Sequence, residues 1–455
     1  MKILNRLATW MGRRLALSDL FRSMAKGAGA AFLLQSSGMA LKYVSVVLLA
    51  RWIDSRREFD AYVFAFISIQ LLAVAAAMGL TTSSLRFIPE YITGQKWGEL
   101  NGWLRRSRQL VLLAGIAIAV VGSAITLVLN LESSQGMALI LGLWLVPLYA
   151  LSEVQMQSIR ATHRVAIAFA PSFVLQPILL IAGTGILFIW SGQLTAMTAL
   201  FCLGAALVIV VLIQRFLLLG TLPEQSRGLT PVDETRRWLG VSFPLMLSAG
   251  FLIVMNRADN LLLGLWGDEG ETGIYFVASR TAQQAAFMLA AVNAIVAPLV
   301  SSRHARGDRE GLQRVSRFAV QLVFWPSLIV AVFLLAFSEW VLRLSGPEFV
   351  EGKNALFVLV VGQMINALTG PVGILLSLSG RQKLSTKVYG CCATLNILLN
   401  LLFIPAFGMT GAAFATAISL IIANLWLAVL VVRQMGIMPV PWLPLPCRFV
   451  QQIEE

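Results

Sequence analysis

Apolar segments of about 20 residues recur along the chain, and short connections rich in glycine and polar residues separate them. Each segment is long enough to cross the hydrocarbon core of a bilayer as a helix. The pattern predicts twelve spans, at 27–50, 61–82, 109–130, 137–158, 168–190, 195–215, 239–265, 273–298, 318–338, 354–378, 385–404 and 410–432. These spans use more than half of the chain, so we expect an all-α polytopic membrane protein with short loops.

Basic residues alternate along this pattern. Of the 35 lysines and arginines, 27 lie in every second connection when the N-terminal segment is counted as the first. The intervening connections hold five, and Lys42, Arg257 and Arg280 lie inside apolar segments. Because cytoplasmic loops retain Lys and Arg, this bias predicts a multi-pass protein of the cell (inner or cytoplasmic) membrane with both termini in the cytoplasm. The net charge of +13 then reflects topology and membrane lipids as partners, not nucleic acid.

Catalytic chemistry is not visible in the sequence. We find no cluster of His, Cys and carboxylates at metal-ligand spacing, no Ser/His/Asp arrangement and no glycine-rich phosphate loop. The expectation is therefore a protein that is not an enzyme and that uses neither a metal nor a cofactor.

An internal repeat relates the two halves of the chain. Tyr62 and Ala65, which lead into the second span, match Tyr275 and Ala278 before the eighth at an offset of 213 residues. Six spans per half return the chain to the same side, so the halves are expected to be parallel repeats with a site between them. We accordingly predict five parts: a cytoplasmic amphipathic segment 1–26, a six-helix bundle 27–219, a cytoplasmic linker 220–237, a second six-helix bundle 238–433 and a cytoplasmic tail 434–455.

Four stretches carry a resemblance to a known family that covers about residues 24–435. They are Arg86–Tyr91, Arg257–Gly264 with Gly273–Ala278, Ala297–Pro298, and Asn396–Pro405 with Phe407–Thr416. In their order and spacing the chain resembles the polysaccharide-transporter (oligosaccharide flippase) branch of the multidrug/oligosaccharidyl-lipid/polysaccharide (MOP) flippase superfamily. The resemblance implies two six-helix bundles that form a V-shaped, alternating-access transporter for lipid-linked saccharides.

Two features separate the chain from neighbouring branches of that superfamily. The peptidoglycan-precursor flippases usually have fourteen spans, and we count twelve here. The drug-exporting branch typically relies on carboxylates within its bundles, whereas carboxylates inside spans are limited here to Glu153 and Asp259.

Charges within the spans indicate where a substrate would bind. Ionisable side chains inside a membrane usually face a cavity or a partner. Lys42, Arg257 and Arg280 are expected at similar depth in the outer half of the bundle, together with Asp259. Three cations and one acid leave a positive surplus, which suits the phosphates of an anionic cargo. Alternatively, Arg257 or Arg280 pairs with Asp259 as a structural clamp; Arg257 and Asp259 are two residues apart on a helix and cannot readily pair with each other.

Other polar residues have two interpretations each. Glu153 and Arg160, two turns apart near the inner end of the fourth span, could form a cytoplasmic gate or simply reach the membrane surface. Glutamines and asparagines in spans eight and ten could bind sugar hydroxyls, although interhelical hydrogen bonding explains each individually. Those residues are Gln283, Gln284, Asn293, Gln363 and Asn366. Tryptophans near the outer ends fit an aromatic belt without any role in sugar stacking.

We therefore expect a flippase that moves a polyprenyl-pyrophosphate glycan across the cytoplasmic membrane for surface polysaccharide biosynthesis. Its partners would be the lipid-linked anionic glycan and membrane lipids, and candidate protein partners are a glycan polymerase or glycosyltransferases. Two alternatives stay open: a drug or metabolite antiporter of the same superfamily, and a non-transporting membrane scaffold of a glycan-synthesis complex. Cavity charge discriminates between the transporters, because cationic drugs require an acidic cavity.

Overall fold

The computed structural model describes residues 19–128, 134–162, 164–226, 229–305 and 307–438. Most of the predicted amphipathic N-terminal segment and of the C-terminal tail lies outside these residues. Within them, the chain is almost entirely helical. The helices are α1 Asp19–Trp52, α2 Arg56–Ala77, α3 Leu80–Thr93, α4 Trp97–Val128, α5 Ser134–Ala161, α6 Val165–Ser191, α7 Ala196–Thr221, α8 Thr235–Trp266, α9 Glu271–Gln283, α10 Phe287–Ala305, α11 Arg309–Ala336, α12 Ser338–Arg343, α13 Lys353–Thr369, α14 Val372–Leu376 and α15 Gln382–Met435.

The long helix α15 contains two membrane passes. Its backbone leaves helical geometry at Gly408, where φ is 55° and ψ is −136°. The Asn396 amide lies 3.4 Å from the Thr416 hydroxyl, although a straight helix would separate these residues by about 30 Å. The chain therefore folds back at Gly408 into two antiparallel arms.

Twelve segments cross the bundle, as the sequence predicts. Eight helical stretches of the described chain are long and apolar enough to span a membrane on their own, and one of them, Val372–Met435, contains both arms of α15. The other segments are α1, the interrupted pair α9–α10, and α13. Valine, leucine, isoleucine and phenylalanine side chains cover the outside of the bundle, as a lipid-facing surface requires. The all-α polytopic fold is thus confirmed.

Besides the interruption between α9 and α10, two spans that the sequence predicts as continuous helices are broken at residues with positive φ. The second span divides between α2 and α3 at Met78 and Gly79, which both have positive φ. A Cβ on Gly79 would lie 2.1 Å from the Ser242 carbonyl oxygen of α8, so only glycine allows this approach. The tenth span is interrupted at Gly370, where φ is 67°. Both breaks depend on contacts with distant helices.

The two halves, α1–α7 and α8–α15, touch at residues that the repeat relates. Asp60 accepts hydrogen bonds of 2.6 Å from the backbone N–H groups of Gly270 and Gly273 at the start of α9. Gly273 is the counterpart of Asp60 at the 213-residue offset. Where a two-fold axis relates two parallel halves, residues near the axis contact their own counterparts. The predicted domain bounds themselves stay predictions.

We call the end of the bundle that holds Asp60 the outer end, after the orientation predicted from the sequence. Further contacts join the halves there. Arg56 forms a 2.7 Å ion pair with Glu351, and Arg51 donates to the carbonyl groups of Arg343 and Leu344. These links close the outer end between the halves.

The opposite, inner end fastens α3 and α4 to the start of α8. Trp238 donates to the Tyr91 hydroxyl at 2.7 Å, and Tyr91 donates to Glu234 at 3.1 Å. Arg106 pairs with Asp233, whose pKa is held below its usual range by hydrogen bonds from Thr235. The stretch Arg86–Tyr91, one of the four that carry the family resemblance, therefore has a structural role at this junction.

Candidate functional site

A cavity of about 360 Å³ lies between the two halves. Its walls come from α1, α2, α5, α6 and α7 of the first half and from α8 and α9 of the second. A cavity of this size is in the range of ordinary ligand sites. Because both halves contribute, a change in their relative position would reshape it.

Lys42, Arg257 and Arg280 all line this cavity. Lys42 lies ten residues before the outer end of α1, Arg257 nine before the outer end of α8, and Arg280 nine after the start of α9. At 1.5 Å per residue, all three are about 14 Å from the outer ends of their helices. Sequence reasoning placed them at similar depth, and the structure adds that they surround one space.

The protein only partly satisfies these three cations. The Lys42 ammonium lies 4.2 Å from the centre of the Phe173 ring, and the Arg280 guanidinium lies 4.9 Å from that of Phe276. Arg280 also donates to the Gln283 side-chain oxygen at 3.4 Å. The Nη1 of Arg257 and the Nε of Arg280 are buried and have no hydrogen-bond partner in the described chain. Buried donors without a partner are costly, so an anion that accepts hydrogen bonds from them would bind favourably here.

Glu153 and Arg160 do not contact each other in the described structure. Glu153 is half-buried on α5, and its carboxylate forms no ion pair in the described structure. Arg160 is exposed, lies 5.6 Å from the Phe169 ring centre and donates to Gln157 at 3.4 Å. A gate formed by these two residues therefore stays a prediction without a contact in this conformation.

Asp259 lies outside the lining of the cavity, contrary to the expectation that it shares this space with the cations. Its carboxylate accepts hydrogen bonds from the Tyr275 hydroxyl, the Thr416 hydroxyl and the Asn260 backbone. It forms no ion pair with Arg257 or Arg280, so the clamp alternative is not formed among the residues described. Asp259 faces away from the cavity because it follows Arg257 by two residues, which is about 200° around the helix. Asp259 instead joins α8 to α9 and to the second arm of α15.

Most of the other polar candidates pack within the protein. Gln283 and Gln284 line the cavity, whereas Gln363 lines a much smaller pocket with Asp259 and accepts a hydrogen bond from Asn366. Three tryptophans near the outer end are more than half exposed, as an aromatic belt requires. They are Trp190, Trp266 and Trp340.

The cavity has further polar and aromatic walls that sequence reasoning missed. Tyr62 and Gln70 of α2, Tyr149 of α5, and Phe173 and Gln176 of α6 all line it. Phe173 belongs to a π-helical turn, Ala170–Leu175, and Gln176 follows that turn directly. Such turns often mark functional sites. Prolines at positions 171 and 177 were the available signal, because one lies in the turn and the other follows it by two residues.

No group of three or more His, Cys, Asp or Glu side chains in the described chain could hold a metal ion. The chemistry that the cavity offers is recognition: guanidinium, ammonium, amide and phenol groups around one space.

Comparisons with known proteins give the same fold. Residues 244–402 match the family described as MatE. An inward-facing multidrug resistance MATE family transporter of the MOP superfamily superposes with a TM-score of 0.74 at 15% identity, covering 90% of this chain and 98% of that one. An outward-facing MATE transporter of the superfamily gives 0.65 at 15% identity, covering 91% of this chain and 96% of that one. The lipid II flippase MurJ, in an inward closed conformation, gives 0.69 at 18%, covering 91% and 87%.

Sequence relatives match over shorter stretches. The uncharacterized membrane protein MJ1068 of Methanocaldococcus jannaschii is 27% identical over 187 residues, or 38% of this chain and 36% of that protein. The probable low-salt glycan biosynthesis flippase Agl15 of Haloferax volcanii is 24% identical over 166 residues, 35% of this chain and 34% of that one. The probable multidrug resistance protein NorM of Pseudomonas syringae pv. tomato is 27% identical over 187 residues, 39% and 40%.

These relatives and structural neighbours include drug transporters and lipid flippases, so they do not distinguish between these substrates. The chain is a multi-pass membrane protein with the fold of MOP-superfamily transporters, and its residues 244–402 match the MatE family.

Proposed function

We propose that the protein is a flippase that moves a lipid-linked oligosaccharide, a polyprenyl-diphosphate glycan, from the inner to the outer leaflet of the cytoplasmic membrane. The observation that carries the proposal is the cavity between the halves, where three cations meet and none forms an ion pair in the described chain.

The charge of the cavity favours an anionic cargo. Lys42, Arg257 and Arg280 contribute three positive charges, and the described residues that line the cavity include no aspartate or glutamate. The surplus is expensive in a low-dielectric site unless an anion joins it. Arginine presents paired donors that fit phosphate oxygens, and two of the arginine nitrogens here lack any partner. A diphosphate supplies the acceptors that the site lacks.

The conformation suits loading from the inner side. Contacts between the halves close the outer end at Arg56–Glu351 and at Asp60, whereas the inner contacts described above join the halves where α3 and α4 meet the start of α8. The inward-facing MATE structure also superposes better than the outward-facing one. In this state the diphosphate would enter from the cytoplasmic side, while the polyprenyl chain stays in lipid. Outward release would follow once the outer contacts separate.

The main rival is a drug or metabolite antiporter, which the similarity to NorM favours. A cationic drug would meet repulsion from three cations in this cavity, so the geometry favours the anionic cargo. A scaffold without transport activity gives no reason for buried, unpartnered arginine donors inside a cavity. The same proposal includes three further points: location in the inner membrane, cytoplasmic termini, and association with a glycan polymerase or glycosyltransferases.

Glycan export in a strain that lacks this gene tests the proposal. Arg257→Gln and Arg280→Gln should each abolish export while the protein stays inserted and abundant. The matched control is Arg433→Gln, because Arg433 is exposed in the last turn of α15 and far along the chain from the cavity. Full export by both cavity variants, or efflux of cationic drugs with no binding of lipid diphosphates, would overturn the proposal.

A further inference from the structure

A second level of polar groups lies below the cations in the same cavity. Gln70 is 14 residues from the outer start of α2, Tyr149 is 15 residues from the outer start of α5, and Gln176 is 15 residues from the outer end of α6. At 1.5 Å per residue, all three lie about 22 Å from the outer ends of their helices. This level is therefore about 8 Å further inward than the three cations.

The side chains at this level are uncharged, and their hydrogen-bonding groups are not paired with other groups of the described protein. Gln70, Tyr149 and Gln176 all line the cavity, and none of their side chains makes a hydrogen bond in the described structure. A glutamine amide offers two donors and an acceptor, and a phenol offers one donor and an acceptor. Such groups match both functions of a sugar hydroxyl, which donates and accepts, whereas an ionised phosphate only accepts.

The local backbone explains how two of these groups reach the cavity. The π-helical turn at Ala170–Leu175 places Phe173 and Gln176, three residues apart, on the cavity wall. On α2, Tyr62, Phe66 and Gln70 follow one another at intervals of four residues, which is one helix face. The Tyr62 and Phe66 rings are stacked with centroids 5.9 Å apart. Amides and aromatic faces thus alternate around the space.

We infer that Gln70, Tyr149 and Gln176 bind the first saccharide of the cargo and that the two glutamines select glycan-bearing lipid over bare lipid diphosphate. This inference rests on the proposed function. A diphosphate held by Lys42 and the arginines leaves its attached sugar one level away, where the neutral groups lie. A bare polyprenyl diphosphate satisfies the cations only and leaves the amides to water.

Binding to the purified full-length protein in lipid nanodiscs tests the inference with two kinds of probe. One is farnesyl diphosphate, and the other is farnesyl diphosphate that carries a single glucose, galactose or N-acetylglucosamine. The wild-type protein should bind at least one glycosylated probe about tenfold more tightly than the bare probe. Gln70→Leu and Gln176→Leu should each reduce this ratio toward one, while the affinity for bare farnesyl diphosphate changes less than about twofold.

Two further variants separate this inference from the proposed function. Arg257→Gln should weaken the binding of both kinds of probe equally, because it acts on the diphosphate. Gln109→Leu, on α4 outside the cavity lining, should leave both affinities and their ratio unchanged. Equal affinity of the wild-type protein for all probes, or glutamine variants that keep the wild-type ratio, would overturn the inference while leaving the proposed function intact. Absence of any farnesyl diphosphate binding to the wild-type protein would overturn both.

Discussion

Replacing Asp60 by asparagine should release the outer end of the transporter. In the structure, the two Asp60 carboxylate oxygens accept one hydrogen bond each from Gly270 and Gly273, across the boundary between the halves. Asparagine keeps one acceptor oxygen and turns a donor toward the other N–H group. The closed outer end therefore loses one charge-assisted hydrogen bond and gains an opposed pair of donors.

The size of the effect follows from these two contacts. A hydrogen bond to a charged group contributes about 1.5–3 kcal/mol. If the outward-open state does not contain this contact, Asp60→Asn shifts the equilibrium toward that state by about 10- to 100-fold. Asp54→Asn is the matched control, because Asp54 is exposed six residues earlier and its side chain makes no hydrogen bond in the described structure.

Cysteine accessibility measures this shift. Gln284→Cys, in a background without the four native cysteines, places a thiol in the cavity lining. A membrane-impermeant maleimide added from outside should label it at least tenfold faster in the Asp60→Asn protein than in the wild type or in Asp54→Asn. Equal labelling rates in all three proteins would refute the argument that Asp60 holds the outer end closed.

Three other predictions concern single residues. Lys42→Arg should retain more glycan export than Lys42→Ala, since positive charge is the property that matters; equal loss in both would count against this view. Asp259→Asn should change thermal stability or ion coupling more than the affinity for farnesyl diphosphate, as expected for a carboxylate that accepts hydrogen bonds from Tyr275 and Thr416. A single cysteine at Gln382 should be labelled only from the inside, and one at Asp268 only from the outside. Outside labelling at position 382 would reject the predicted orientation.

Sequence reasoning worked best where local hydrophobicity determines structure. The twelve segments follow from apolar runs that must match the bilayer thickness. The interruptions at Gly79 and Gly370 could not be foreseen, because they depend on packing against distant parts of the fold. Gly79, for instance, is needed because the Ser242 carbonyl approaches it and because its φ is positive. A glycine in an apolar run does not reveal such a neighbour.

In the candidate site, too, some features follow from the local sequence and others do not. Depth along a helix is a local property, and counting residues from the helix ends placed Lys42, Arg257 and Arg280 at one level. Direction around a helix also mattered, and the two-residue spacing of Arg257 and Asp259 already indicated that they face different ways. Gln176 escaped notice because a π-helical turn shifts the faces of α6 by an amount that ordinary helical periodicity does not contain.

The contact between Asp60 and Gly273 has a consequence for how the two halves came to differ. Residues beside a two-fold axis meet their own counterparts, so two identical halves would place an aspartate on both sides. Two carboxylates at this distance repel each other. The Cβ of any side chain at position 273 would also lie 2.8 Å from the Asp60 oxygen that accepts the hydrogen bond. Joining the halves in one chain lets one copy keep the acid while the other supplies bare glycine backbone. The closure of the outer end thus requires a broken symmetry, which a homodimer of identical six-helix units could not achieve.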